Sequence, residues 1–375
     1  MTLQERVWQR RNRLRNRFSS LASSELRERP APTAAPRRKA TLADVAERAG
    51  VSTSTASRAL NGHAGLAPAT RAAVEDAAAQ LNFQPSALAR SLRTQQTFTV
   101  GFVVPDVSSP FYAAALQGAQ GRLEQAGYRV MLMDANQDID RELAALETLL
   151  SHQVDGLLVA SAGVPPALFE SALSASATPT IFFDGVIEGM GDGAVILDNE
   201  RGIELLIAHL IEHGHERIGF LAGSQRENAG AARLRAFYRC MRDHGMTPDG
   251  GHVKVCAWAI ADGRRAGLEL LADAVPATAV LASSAELALG FMSAAAARGA
   301  RIPHDVALVA FDDPYFGDLL EPSLTAVAYD PRLIGAAAAE LLVDAIRSGS
   351  DSREVRIPVT LVRRRSCGCR AEAAR

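Results

Sequence analysis

The chain has 375 residues, a formal net charge of −2 and 48% hydrophobic residues, enough for two or three domains with sizeable cores. No run reaches the length of a membrane span, and the four cysteines, Cys240, Cys256, Cys367 and Cys369, are too few and too scattered for a disulfide framework. The charge is unevenly divided: residues 1–95 hold 16 Lys/Arg against 7 Asp/Glu and the remainder 24 against 35, so a basic end suited to phosphates precedes an acidic body.

Residues 1–39 carry ten Arg and one Lys against three Glu, with Pro30, Pro32 and Pro36 near their end, and read as a disordered, Arg-rich arm. No apolar core follows their charges, so they make a poor secretory signal and a cytoplasmic protein is expected.

Residues 41–62, TLADVAERAGVSTSTASRALNG, pack a capped helix, a glycine turn and a second polar helix into one short stretch. Thr41 with Asp44 has the pattern of an N-cap and its reciprocal partner, and Val45, Ala46 and Ala49 form an apolar side. Gly50 ends the helix, since glycine tolerates the left-handed backbone of a tight turn, and Val51 can pack between the helices. Ser52 caps a second helix that shows Thr53, Ser54, Ser57 and Arg58 outward and turns Ala56, Ala59 and Leu60 inward. This is a helix-turn-helix, whose second helix lies in the major groove of DNA, where an arginine such as Arg58 can pair bidentately with guanine. Residues 68–83 read as a third helix on Val74, Ala78 and Leu81, and Pro85 breaks the chain. The next segment, SALARSLRTQQT, is short and basic and would barely be helical alone.

On TLADVAERAGVS, ASRALNG and LNFQPSALARSL, together with the chain that follows, residues 40–366 resemble the lactose-repressor family of bacterial transcription regulators. The resemblance implies a helix-turn-helix domain over residues 40–84, a hinge helix over 85–96 and an effector and dimerisation domain over 97–366, followed by a tail over 367–375. It assigns DNA contacts to Thr41, Leu42, Ser52, Thr53, Ser54, Thr55, Ser57, Arg58, Asn61 and, in the hinge, Ala89. Leu92 takes the place of the leucine wedged into the minor groove, which kinks the duplex. The family's first helix lies close to the N-terminus, so residues 1–39 either contact DNA electrostatically or belong to a misassigned start.

From Phe98 onward, apolar runs alternate with longer helical patterns: FTVGFVV, RVMLMDA, GLLVAS, TIFFD, AVILD, RIGFLAG, TAVLAS and VALVAFD. Such alternation predicts doubly wound α/β subdomains, with ligands beyond the carboxyl ends of the strands. Asp106, Asp134, Ser161, Asp184, Asp198 and Asp312 stand at those ends, and because strand-end aspartates also cap helices, most of them are expected to be structural. The resemblance, to a pair of periplasmic-binding-protein-like subdomains, selects Phe111 as a stacking face, Asp184 and Asp312 as hydroxyl-binding carboxylates, Arg233 in ARLRAF as the arginine that forks onto ligand hydroxyls, and Trp258, five residues before Gly263, as an effector-contacting indole. Ser161 and Ser284 complete the candidate set. Ser284 and Ala285 replace the family's usual Asn-Asp pair, which leaves open a sugar acid or phosphate, a nucleobase between Phe111 and Trp258, or no effector at all.

Catalysis finds no support: no G-x-S-x-G elbow, phosphate-binding P-loop or H-E-x-x-H pair occurs. His213 and His215 read as a helix C-terminus around Gly214, and Cys367-Gly-Cys369 without a second ligand pair is a weak metal signal, so neither metal nor cofactor is expected. A free-standing solute-binding protein is disfavoured by the helix-turn-helix. The expected protein is a bacterial, nucleoid-associated repressor that meets a palindromic double-stranded operator as a homodimer and is gated by a small molecule, expected to be a carbohydrate. Apolar heptads after Leu361 that would make a tetramer are absent.

Overall fold

The computed structural model describes residues 40–61, 63, 65–83, 96–174, 176–248, 250–349 and 352–368. The Arg-rich arm, Ala89, Leu92 and the tail from Cys369 onward lie outside these residues, as does the hinge apart from Gln96. The chain divides into two compact units, one within residues 1–86 and the other within 87–375.

The first unit has three helices, α1 (Leu42–Arg48), α2 (Thr53–Leu60) and α3 (Pro68–Gln80). The Thr41 hydroxyl accepts from the Asp44 amide, and the Asp44 carboxylate accepts from the Thr41 amide at 2.7 Å, a complete capping box. At the other end the Gly50 and Val51 amides bond back to the carbonyls of Glu47 and Ala46, while Gly50 takes φ +66°. This pairing closes a helix with one left-handed residue and swings Val51 onto the core. The same device stops α3 at Gln80 rather than Phe83, because Asn82 adopts φ 48° and the Phe83 amide returns to the Ala78 carbonyl. Val45, Ala46, Ala56, Ala59, Val74, Ala77 and Ala78 fill a core of mostly small side chains, so end caps matter here. Ser52→Ala removes the acceptor for the Thr55 amide and should cost about 1 kcal/mol. Faster hydrogen exchange at the α2 amides of the full chain would register it, and unchanged exchange would mean that packing alone holds the helix start.

The second unit contains two six-stranded sheets. In chain order its elements are β1 (Thr99–Val104), α4 (Pro110–Gln125), β2 (Arg129–Asp134), α5 (Ile139–Ser151), β3 (Gly156–Val159), α6 (Pro166–Leu173), β4 (Thr180–Phe183), β5 (Gly193–Leu197), α7 (Asn199–Glu212), β6 (Ile218–Ala222), α8 (Asn228–Asp243), β7 (Val253–Val255), α9 (Ile260–Leu270), β8 (Ala279–Ala282), α10 (Ala285–Arg298), β9 (Ala307–Phe311), β10 (Thr325–Ala328), α11 (Pro331–Ser348), β11 (Arg353–Ile357) and β12 (Thr360–Val362). The first sheet runs β11-β5-β4-β3-β1-β2, all parallel. The second runs β12-β10-β9-β8-β6-β7, parallel except for β12. The chain passes between the sheets after β5, after β10 and after β11, so each subdomain is built from distant parts of the sequence.

All eight apolar runs form strands. Four strands carry no comparable signal: β7, β11 and β12 are short or charged edge strands, and β10, Thr-Ala-Val-Ala, is small-residued. Edge strands bury one face or less, so the hydrophobic alternation that marks an interior strand is weak in them.

Candidate functional site

On the first unit, Thr53, Ser54 and Arg58 are exposed on α2, with Thr55 and Ser57 half-buried beside them. Ser52 Oγ lies 3.0 Å from Ser54 Oγ and 2.9 Å from Thr55 Oγ1, tying the first-turn hydroxyls into one cluster. Asn61 donates to the Ser57 carbonyl at 2.6 Å, closing the far end of the helix. Thr41 is exposed and Leu42 half-buried at the start of α1. Ala56 and Ala59 face the core, as their spacing predicts.

On the second unit, the strand ends predicted to carry polar groups separate into two kinds. Asp106 accepts from the Ser108 amide, Asp134 from the amides of Val107 and Asn136, and Asp198 caps α7 through the Arg201 amide; these three are consumed by local turns. Ser161 accepts from the amides of Gly163 and Val164, and also lines a small cavity with Phe183, Asp184, Gly185, Glu227 and Asn228. Asp184 and Asp312 follow β4 and β9, one in each subdomain. Both sit in the left-handed region, φ 64° and φ 72°, which turns their side chains out of the strand line.

Each of these aspartates is held by a tyrosine that the sequence reading did not select. Tyr112 donates to Asp184 at 2.9 Å and Tyr329 to Asp312 at 2.6 Å. Phe111 stands between the two tyrosines, edge-on to Tyr112 with ring centres 4.9 Å apart and to Tyr329 at 6.1 Å, so the three rings form one aromatic wall. Arg233, 4% exposed, donates through Nε to Asn199 at 2.8 Å and through Nη1 to the Ser283 carbonyl at 2.6 Å. Its Nη1 also lies 3.7 Å from Asp312, and its guanidinium stacks 3.6 Å above the Phe311 ring centre. Gly202 makes room for that ring, since a Cβ there would meet its edge. Trp258 donates to Glu227 at 2.7 Å, and its ring covers Gly223, where any side chain would collide with it. Ser284 is 3% exposed, and its hydroxyl caps α10 by accepting from the Leu287 amide.

The electrostatics are dominated by carboxyls. Burial pushes Asp184 up to about 7 against the pull of Arg233 and the Tyr112 hydrogen bond. Burial also raises Glu227, despite the Trp258 donor, and Glu286, with Asp312 adding to the latter. Tyr112 and Tyr329 are held well above the usual phenol range by burial and by the carboxylates they serve. A separate hollow by the end of α11, lined by Asp192, Leu341, Asp344, Ser348 and Arg353, contains an exposed Arg353–Asp344 ion pair.

Residues 41–86 match the family model of the lacI family of bacterial regulatory proteins, and residues 207–367 match a periplasmic binding protein-like domain. The chain is 31% identical over 329 residues to the HTH-type transcriptional repressor PurR of Pectobacterium atrosepticum, covering 87% of this chain and 96% of that protein. It belongs to the LacI family of bacterial transcriptional regulators. Another LacI-family relative, catabolite control protein A of Priestia megaterium, is 30% identical over 320 residues, covering 85% of this chain and 96% of that one. Among solved structures, the lac repressor dimer bound to operator and an anti-inducer superposes with a TM-score of 0.80 at 26% identity, covering 88% of this chain and 99% of that one. A complex of the transcriptional regulator CelR with cellobiose superposes at 0.67 with 31% identity, covering 87% and 99%. Membership of the LacI family makes the chain a DNA-binding transcriptional regulator with an effector domain of periplasmic-binding-protein type. No helix among the described residues is long and apolar enough to cross a membrane.

Proposed function

We propose that this regulator binds a palindromic operator as a homodimer, in the bacterial cytoplasm and on the nucleoid, and that a small molecule held between the two subdomains of each protomer sets its affinity. It acts by binding and not by catalysis. The observation that carries the DNA reading is Arg58, exposed at the outer face of α2 with a guanidinium that makes no hydrogen bond or ion pair with a described residue, beside the hydroxyls of Ser52, Thr53, Ser54, Thr55 and Ser57. A helix so equipped suits the major groove, with the hydroxyls on phosphates and Arg58 on a guanine edge. Thr41 and Leu42 at the start of α1, and Asn61 at the end of α2, take the backbone on either side. The hinge residues Ala89 and Leu92 are proposed to meet the minor groove between half-sites.

Arg58→Ala should weaken specific operator binding by about 1–3 kcal/mol and leave binding to random duplex nearly unchanged at the same salt. Fluorescence anisotropy on both duplexes reads this directly, and equal losses on the two would remove Arg58 from base readout.

For the effector, Asp184 and Asp312 face the ligand from opposite subdomains while Phe111 and Trp258 supply flat apolar surfaces, the combination that suits a hydroxylated ring with C–H faces. Arg233 is engaged through Nε by Asn199 and through Nη1 by Ser283 and Asp312, so it orders the site, while its Nη2 makes no hydrogen bond with a described residue. Ligand contacts to both subdomains favour one arrangement of the pair over the other, and that differential affinity is what reaches DNA.

A further inference from the structure

We infer that the effector is an organic cation, a hydroxylated ring carrying a protonated amine, of the amino-sugar class. This deepens the proposed effector reading and rests on it. Asp184, Glu227, Glu286 and Asp312 are four carboxyls whose charges act on one another or on Arg233, and Arg233 is the buried cation among them. That cation is already divided among an amide oxygen, a carbonyl and Asp312. Lys39 and Lys254 are the chain's only lysines, and Lys254 pairs with Glu269, so beside Arg233 the cation that acts on these carboxyls is Arg226, against Glu227. Glu142 adds a further fully buried carboxyl just behind Ser161, accepting from the Ala162 amide.

An excess of partly desolvated carboxyls is costly while the cleft is empty and becomes favourable when a cation enters. The groups are also set for an organic ion. No three His, Cys, Asp or Glu side chains among the described residues converge to hold a metal, whereas the Phe111 and Trp258 faces flank the acids as they would a ring. A sugar phosphate or sugar acid would add negative charge to the same cluster and is disfavoured on that ground.

The test is calorimetric titration of the full-length protein at pH 7 with glucosamine, galactosamine, glucose, N-acetylglucosamine and glucose 6-phosphate, each also added to an operator-binding assay. At least one amino sugar should bind about tenfold or more tighter than its neutral counterpart, and the phosphate should bind least. Glu227→Gln, which keeps an acceptor for Trp258, should erase that preference, so that the amino sugar binds the variant no tighter than its neutral counterpart does, and Glu286→Gln serves if Glu227→Gln fails to fold. Binding of the amine should also release protons, because an ammonium facing Asp184, Glu227 and Glu286, whose pKa values burial raises, lowers them; titration in two buffers of different ionisation enthalpy measures the release. Neutral sugars binding as well as amines and shifting operator affinity would overturn the cation assignment and leave the effector reading standing. An amine that binds through Glu227 without altering operator affinity would uphold the cation site and overturn its regulatory role. No heat from either amino sugar would overturn the inference.

Discussion

Replacing Arg233 by leucine should destabilise the effector unit by about 3–5 kcal/mol at pH 8, the range for removing one partner from a buried charge cluster. The guanidinium lies 3.7 Å from Asp312 and stacks at 3.6 Å on Phe311, while its hydrogen bonds hold Asn199 and the end of β8 together. Leucine preserves apolar contact with Phe311 but leaves Asp312 without its cation and the Ser283 carbonyl without its donor. The effect should depend on pH. Asp184 has a folded pKa of about 7 against an ordinary 3.8, so its protonated form contributes stability that is fully present below about pH 4 and is lost as the pH rises through about 7. Arg233 holds that value down, so without it Asp184 titrates higher still, and the variant should fall further behind the wild type above pH 7. At pH 5.5 Asp184 is largely protonated in both proteins and the gap should narrow. Urea unfolding at pH 5.5 and pH 8 measures both quantities. An equal loss at the two pH values would show that packing, not charge, gives Arg233 its role.

The parts of this protein that sequence reveals are the parts that local chemistry decides. Thr41 with Asp44, Ser52, and Gly50 followed by Val51 each settle a helix end within a few residues, so the helix-turn-helix is readable from one short stretch. Interior strands are readable because both of their faces are buried, and Asp184 and Asp312 are visible because they end such strands. What escapes is assembled across distance. Tyr112 reaches Asp184 from α4, and Tyr329 reaches Asp312 from the end of β10, a strand whose composition gives little sign of itself. Glu227 lies in the loop before α8 and gains its meaning only from Trp258, 31 residues on. Ser284, which stands where the family usually has an asparagine, caps the start of α10 with its hydroxyl, a local role of the kind an N-cap position makes readable.

Gly335→Ala should destabilise the same unit by about 1–3 kcal/mol or more and should weaken effector binding with it. Helices α4 and α11 cross at a reciprocal pair of glycines: a Cβ on Gly335 would overlap the Ala115 carbonyl, and one on Gly118 would overlap the Arg332 carbonyl. Both obstacles are backbone, so no rotamer change relieves them and the helices themselves must separate. That movement reaches the cleft, because Phe111 and Tyr112 occupy the first turn of α4 while Tyr329 lies two residues before α11. Separating the helices therefore opens the Phe111–Tyr329 contact, which now has ring centres 6.1 Å apart, and draws the Tyr112 donor from Asp184. Gly121→Ala is the matched control: it sits on the same helix with nothing within 4 Å of an added Cβ, and it should gain about 0.5–1 kcal/mol from helix propensity. Urea midpoints and ligand titrations of the two variants separate a local helix effect from one transmitted to the aromatic wall. If Gly335→Ala unfolds at the wild-type urea concentration and binds ligand as well, the crossing accommodates a methyl group and the wall is held by its own ring contacts and tyrosine hydrogen bonds.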